Sequence, residues 1–146
     1  MAVTPQHAQD VLQDADLIHD ASAIDKALNK LALDISTAVA GDIYKEQPVI
    51  VISVMNGGLI LAGHLLPRFN FPLHVDFIHA TRYRNQTSGG ELEWKVPPHQ
   101  DIKGRTIILL DDILDEGYTL DAIIQYCKQL GAAKVVSAVL VEKIHN

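Results

Sequence analysis

The sequence predicts an α/β fold, a parallel sheet flanked by helices, on three observations. Short apolar runs such as residues 49–54 are rich in β-branched side chains, which is typical of strands buried on both faces. Between these runs, apolar residues recur at helical spacing. The two patterns alternate along the chain, and that alternation favours parallel strands joined by helical crossovers.

Two helices are predicted before the first strand. Thr4 and Pro5 form the pattern of an N-cap followed by proline at the first helical position, so the first helix is expected to run to about His19. Ser22 and Asp25 have capping-box spacing. The apolar stripe that follows them indicates a second helix, up to about residue 41.

The rest of the chain is predicted to form four strands and two helices. The strands are expected at residues 49–54, 73–79, 105–110 and 134–141. The helices are expected at residues 59–66 and 120–130, the second ended by Gly131. Residues 82–98 have no regular period and are predicted to form a long mobile loop or a hairpin. Because ligands of parallel sheets bind beyond the carboxyl ends of the strands, we expect the functional site at that edge.

The length, net charge and cysteine count of the chain argue against several classes of protein. The 146 residues fit one domain, expected to consist of N-terminal helices (1–45) and an α/β core (46–146). A formal net charge of −6 argues against nucleic-acid binding, which needs a basic face. No apolar run reaches the ~20 residues that a membrane helix needs. The N-terminus lacks a signal-peptide pattern, and the single cysteine excludes an internal disulfide. We therefore expect a cytoplasmic protein that binds no membrane.

Residues 109–119 are the most informative segment of the chain. An apolar run leads into Asp111 and Asp112, and Asp115 and Glu116 follow in a short loop that opens a helix. Two unit charges about 5 Å apart repel by about 3 kcal/mol at an effective dielectric near 20, so the cluster favours a bound cation or hydroxyl groups. The N–H groups at a helix start favour a phosphate. A solvated acidic turn accounts for one acidic pair, but not for the whole pattern of strand, acids, glycine and threonine.

This segment resembles the phosphoribosyl pyrophosphate signature of type I phosphoribosyltransferases, in its hypoxanthine-guanine version. The resemblance implies that Asp111 and Asp112 hold the ribose hydroxyls and, directly or through water, Mg²⁺. It implies that Asp115 lies near the purine N7 as the general base or proton acceptor. The residues implied to wrap the 5′-phosphate are Glu116, Gly117, Tyr118 and Thr119.

The loop after the first predicted strand, Asn56, Gly57 and Gly58, resembles the pyrophosphate loop of the same family. Glycines let the backbone approach an anion closely. The family often has lysine at the position of Asn56, so a direct cationic contact is missing here. The resemblance also implies a cis peptide between Met55 and Asn56. Without the resemblance, a simple strand-to-helix turn explains the two glycines equally well.

Arg82 and Tyr83 lie in a segment similar to the flexible catalytic loop of the family, which closes over the site and excludes water. Lys143 follows the fourth predicted strand, and the resemblance implies that it contacts the exocyclic oxygen at purine position 6. A cation there favours hypoxanthine or guanine over adenine, whose amino group is a donor. Without the resemblance, these basic side chains are interpreted as surface residues.

The resemblance covers residues 24–143. It implies a type I phosphoribosyltransferase fold with an incomplete hood, because family members continue for several tens of residues beyond this point. We therefore interpret the chain as truncated at its C-terminus, with an unusually short family member as the alternative. In both cases we expect it to bind nucleotide weakly and to turn over poorly. Apolar helix faces near the N-terminus favour a homo-oligomer, a dimer or a tetramer, although core packing would use the same faces.

The function implied by the resemblance is purine salvage. The 5-phosphoribosyl group of phosphoribosyl pyrophosphate would be transferred to hypoxanthine or guanine, which gives IMP or GMP and pyrophosphate, with Mg²⁺ as the cofactor. Two alternatives stay open: a xanthine-preferring phosphoribosyltransferase, and a non-catalytic regulator of the same fold that senses phosphoribosyl pyrophosphate. The acidic net charge and Asp115 favour the enzyme over the regulator.

Overall fold

Five strands form one sheet, in the order β3-β2-β1-β4-β5. The computed structural model describes residues 3–82 and 92–145. The elements are α1 (Pro5–Asp14), α2 (Ala21–Val39), β1 (Val49–Val54), α3 (Gly58–Leu65), a 3-10 turn (Leu66–Arg68), β2 (Leu73–Arg82), β3 (Leu92–Val96), β4 (Thr106–Leu114), α4 (Tyr118–Gln129) and β5 (Lys134–Glu142). None of the helices within the described ranges has the length and the hydrophobicity to span a membrane.

Strand β1 lies at the centre of the sheet, and all six of its residues are buried. It pairs in parallel with β2 on one side and with β4 on the other, and β4 pairs in parallel with β5. The chain therefore leaves β1 toward one side of the sheet and later returns to its other side. The mainly parallel α/β architecture expected from the apolar runs is confirmed.

Each face of the sheet has its own apolar core, because successive side chains of a strand point to opposite faces. Helices α2 and α3 cover the first face, where the buried cluster includes Leu28, Ile35, Val39, Val51, Leu61 and Ile108. Helix α4 covers the second face, where the cluster includes Ile50, Ile52, Leu109, Ile123 and Cys127. Burial raises the pKa of the Cys127 thiol to about 11, so this cysteine packs as a small apolar residue and is not a nucleophile at neutral pH.

The N-terminal helices differ from the prediction at their boundaries. Thr4 is the N-cap of α1 as predicted, but α1 ends at Asp14 instead of about His19 and contains no buried side chain. The predicted capping box at Ser22 and Asp25 is wrong. Asp20 is the N-cap of α2, and its carboxylate accepts a hydrogen bond from the Ala23 N–H at 2.8 Å. The Asp20 carboxylate, two residues before Ser22, accepts a hydrogen bond from a free N–H of the first turn, so α2 begins directly after Asp20.

Strand β4 is longer than predicted, and this changes where the acidic residues lie. Its pairing with β5 continues past residue 110 through Asp111↔Val139 and Ile113↔Val141 to Leu114↔Glu142. Asp111 and Asp112 therefore lie inside the strand and not in the turn after it. The two adjacent aspartates indicated that the strand ends before them. The backbone of β5 instead pairs with residues 111–114 and keeps them extended.

The segment after β2 is a hairpin where the structure describes it. β2 continues to Arg82 and pairs antiparallel with β3, from His79↔Val96 to Arg82↔Leu92. Of the two alternatives predicted for residues 82–98, the described part is therefore the hairpin. The ring of Trp94 on β3 packs against Tyr126 of α4, with centroids 4.5 Å apart.

A buried carboxylate on β2 fastens the chain that returns from this hairpin. Asp76 accepts hydrogen bonds from the N–H groups of Phe77 (2.8 Å), His99 (2.7 Å) and Gln100 (2.9 Å). Burial raises the pKa of Asp76, but these hydrogen bonds outweigh it and hold the pKa below its usual value. Nothing in the sequence pattern indicated this residue, because a lone aspartate in a strand carries no periodic signal.

Candidate functional site

The candidate site is a cleft at the carboxyl edge of the sheet, beside the ends of β1 and β4. The cavity has a volume of about 550 Å³ and is lined by Val54, Met55, Ala80 and residues 111–120. Strand order reverses between these two strands, which is where open parallel sheets bind ligands. A second cavity of about 570 Å³ lies at the opposite edge, against Lys45 and Arg105. The carboxyl edge is the candidate because the acidic segment lies there.

Asp111 and Asp112 bring two adjacent carboxylates to the cleft. The N–H of Asp112 donates to Asp111 Oδ1 (2.9 Å), and the N–H of Ile113 donates to Asp112 Oδ1 (2.8 Å). Burial, together with the neighbouring Asp112 carboxylate, raises the pKa of Asp111 to about 6, although the hydrogen bond from the Asp112 N–H lowers it in part. The charge on Asp111 is therefore disfavoured in the free protein.

These two carboxylates fit Mg²⁺ that is shared with a phosphorylated ligand. Mg²⁺ is usually bound through one or two carboxylates together with substrate phosphates and waters. Within residues 3–82 and 92–145, no three or more His, Cys, Asp or Glu side chains form a group that could hold a metal. A cation beside Asp111 would also offset the burial and the repulsion that raise its pKa.

The loop between β4 and α4 lines the cleft with acidic side chains and the start of a helix. Asp115, Glu116, Gly117, Tyr118 and Thr119 all line the cleft. Gly117 has φ +79°, in the left-handed region that favours glycine, and α4 begins at the next residue. The first turn of a helix carries N–H groups without intrahelical partners and a partial positive charge. The turn therefore provides uncharged donors among the acidic side chains.

The loop between β1 and α3 lies directly against β4. A Cβ on Gly57 would lie 2.5 Å from the carboxyl carbon of Asp112, and a Cβ on Gly58 would lie 2.4 Å from the Leu110 carbonyl oxygen. Only glycine allows this approach. The Met55–Asn56 peptide is cis, as the resemblance implies. Of this loop, Met55 lines the cleft, and Gly57 lies against Asp112 behind it.

The end of β5 brings two basic side chains to Asp115. Pairing with β4 continues beyond the strand, since the N–H of Lys143 donates to the Leu114 carbonyl at 2.8 Å. Lys143 Nζ lies 3.3 Å and His145 Nε2 lies 2.8 Å from Asp115 Oδ1. Desolvation raises the pKa of Asp115, but Lys143 and then His145 outweigh it and hold the pKa below its usual range.

The structure gives fewer contacts for the remaining predicted site residues. Asn56 precedes α3, and its carbonyl accepts a hydrogen bond from the Leu59 N–H at 3.1 Å. Arg82 is the last residue of β2, and only its backbone is described. Tyr83 lies outside the described residues. Sequence reasoning placed Met55 in the glycine loop without giving its side chain a role, and it missed His145. The position of His145 two residues after Lys143 was the one available signal for it.

The family model of the phosphoribosyl transferase domain matches residues 14–146 of this chain. The chain belongs to the phosphoribosyltransferase family. It is similar to the hypoxanthine-guanine phosphoribosyltransferase of Streptococcus pneumoniae, with 30% identity over 121 residues that cover 82% of the chain and 64% of the relative. The corresponding Aquifex aeolicus enzyme is 28% identical over 104 residues, 70% of the chain and 56% of the relative.

The fold agrees with solved phosphoribosyltransferases. The crystal structure of a hypoxanthine-guanine phosphoribosyltransferase from Bacillus anthracis superposes with a TM-score of 0.77 at 24% identity, over 89% of this chain and 75% of that one. The family and the fold expected from the acidic segment are therefore confirmed. The chain spans less than two thirds of the length of the S. pneumoniae and A. aeolicus relatives, at 64% and 56%.

The close contact at Gly58 gives a prediction for this phosphoribosyltransferase. We expect Gly58→Ala to lower the free energy of unfolding by about 1–3 kcal/mol, because the backbone carbonyl of Leu110 has to move. Gly63→Ala in the same helix is the matched control, since a Cβ there meets nothing within 4 Å. It should raise stability by about 0.5–1 kcal/mol. Urea denaturation measures both, and equal effects would contradict the packing argument.

The raised pKa of Asp111 predicts that its charge costs stability. The folded chain holds this proton more tightly than the unfolded chain, so stability falls as pH rises from 3.8 to about 6 and stays lower above that. We expect Asp111→Asn to stabilise the metal-free protein by about 1 kcal/mol at pH 8, discounted for partial exposure. The gain should vanish near pH 4. Asp16→Asn, at an exposed position, is the control for urea denaturation, and a gain that persists at pH 4 would refute the electrostatic cause.

Proposed function

We propose that this chain is the catalytic core of a purine phosphoribosyltransferase that converts hypoxanthine or guanine to IMP or GMP. One observation carries the proposal. A pair of carboxylates, an anion-binding turn and a basic strand end lie around one cleft in a chain of this family. One nucleotide uses all three groups: the ribose the carboxylates, the phosphate the turn, and the base the basic strand end. The similarity to curated hypoxanthine-guanine enzymes supports the choice of base.

The sugar-phosphate half of the substrate is assigned to the β4–α4 segment. Asp111 and Asp112 accept hydrogen bonds from the ribose hydroxyls, and the same carboxylates hold Mg²⁺. The 5′-phosphate is received by backbone N–H groups of residues 116–119 and by the Thr119 hydroxyl. Asn56, Gly57 and Gly58 offer peptide groups to the pyrophosphate. When bound, Mg²⁺ neutralises the pyrophosphate leaving group.

The base half of the reaction is assigned to Asp115 and Lys143. The purine N9 attacks C1′ of the ribose, the bond from C1′ to the pyrophosphate oxygen breaks, and Asp115 accepts the proton that leaves N7. Lys143 donates to the oxygen at purine position 6. This chemistry needs positioning and charge stabilisation more than a covalent nucleophile. Arg82 and Tyr83 belong to the segment proposed to close over the cleft.

The proposal also covers the domain organisation, the location and the partners of the protein. Residues 1–146 are taken as one domain, with the N-terminal helices before residue 46 and the α/β core after it. Because the chain spans 64% of the S. pneumoniae relative, the activity of the whole protein is inferred from this part. The cytoplasmic location, the absence of nucleic-acid and membrane partners, and the homo-oligomer stay predictions.

The proposal is tested by calorimetric titration with GMP, IMP, XMP and AMP, with and without Mg²⁺. We expect GMP and IMP to bind at least about tenfold more tightly than AMP, because the adenine amino group would face the Lys143 ammonium as a second donor. Lys143→Met should remove this preference, whereas Lys128→Met on the exposed side of α4 should keep it. Tighter binding of XMP than of GMP would favour the xanthine alternative, and absence of binding for all four would overturn the proposal.

Asp115→Asn separates the enzyme from a non-catalytic regulator. An amide cannot accept the N7 proton, so we expect kcat for IMP formation to fall by about 10²–10⁴-fold. Nucleotide affinity should change far less, because the phosphate and ribose contacts remain. A steady-state assay with hypoxanthine and phosphoribosyl pyrophosphate measures the rate. A variant that keeps the wild-type rate would refute the role of Asp115.

A further inference from the structure

The Asp115 carboxylate has two basic neighbours, and the proposed reaction uses only one of them. His145 Nε2 makes the shorter contact with Oδ1, at 2.8 Å, and Lys143 Nζ makes the longer one, at 3.3 Å. Both approach the same oxygen. A carboxylate has about four lone-pair sites on two oxygens, so contacts to Oδ1 leave Oδ2 to accept a proton.

Lys143 has a second task in the proposed reaction, at the purine oxygen. Its long side chain is 57% exposed, and its contact with Asp115 is the longer of the two. Turning toward the base loosens that contact further. An Asp115 held by Lys143 alone would therefore lose its orientation when the base binds and its proton has to be accepted.

His145 is placed to keep that orientation. The N–H of Lys143 donates to the Leu114 carbonyl, which fixes the residues after β5 against the end of β4. Asp115 is the next residue after Leu114. Ile144, between the two basic residues, is 82% exposed and does not compete for the carboxylate. His145 does not line the cleft, so the imidazole contacts Asp115 from outside that cavity.

We propose that His145 is a positioning residue that holds Asp115 Oδ1 through its Nε2–H while Lys143 turns to the purine oxygen. This inference rests on the proposed function. His145 does not touch the reacting atoms and acts only through Asp115. The charged groups around this carboxylate are Lys143 and His145 beyond β5, Glu116 beside it, and Asp111 and Asp112 across the cleft.

The contact has little to do with stability. The side chains of Asp115 and His145 are 54% and 52% exposed, and ion pairs at such positions add little to folding. Removing the imidazole should therefore leave the melting temperature nearly unchanged. A loss of rate in a variant that melts normally then reports on positioning and not on folding.

The experiment compares His145→Phe, which keeps a ring without a donor, with His145→Gln, whose amide N–H replaces Nε2–H. His7→Phe on the exposed face of α1 is the control. We expect kcat to fall by about 10–10²-fold in His145→Phe, because a misplacement of about 1 Å can cost a catalytic group about 10²-fold in rate, with the KM for phosphoribosyl pyrophosphate unchanged. His145→Gln should recover most of the rate. The acidic limb of the kcat profile should move to higher pH in His145→Phe, because ionised Asp115 loses a donor.

The outcomes distinguish this inference from the proposed function. A wild-type rate and pH profile in His145→Phe, beside an active wild type, overturns the role of His145 alone. Equal losses in the Phe and Gln variants overturn the hydrogen-bond role. A wild type that forms neither IMP nor GMP and binds neither nucleotide overturns the proposed function itself.

Discussion

The parallel pairing of β4 with β5 is the constraint on which the site depends. Its ladder continues through Leu114 and Glu142, and one more hydrogen bond joins Lys143 to Leu114. This pairing keeps Asp111 and Asp112 in an extended strand and places the basic end of β5 beside Asp115. Without it, the acidic segment would be a turn whose charges spread into solvent.

The glycine loop and the acidic strand depend on each other across the centre of the sheet. Gly57 and Gly58 approach β4 so closely that a side chain on either one would overlap Asp112 or the Leu110 carbonyl. Burial, together with the charge of Asp112, raises the pKa of Asp111 to about 6. These features cost stability at the cleft, while the apolar clusters on the two faces of the sheet stabilise the fold. Because the stabilising apolar clusters lie apart from the cleft, the cleft can hold the unfavourable charge that its function needs.

The sequence predicted the order of strands and helices because buried parallel strands are continuous apolar runs, and β1 and the apolar half of β4 follow that pattern. It could not predict that β4 continues through its aspartates, since the reason is a partner strand far along the chain. The same holds for Asp76, whose donors His99 and Gln100 arrive only through the fold. The site residues came from a motif resemblance, and His145 was missed because it lies outside that motif.

Under the proposed function, a chain with a formal net charge of −6 has to attract a phosphorylated ligand to an acidic cleft. The cleft has acidic side chains at Asp111, Asp112, Asp115 and Glu116, and the basic groups beside it contact Asp115. Under the proposed function, peptide N–H groups at the start of α4 and a cation that the ligand shares with the carboxylates provide attraction. A count of charges argues against a nucleic-acid surface, which needs many basic side chains. It says little about a single nucleotide, which a few oriented peptide groups can hold.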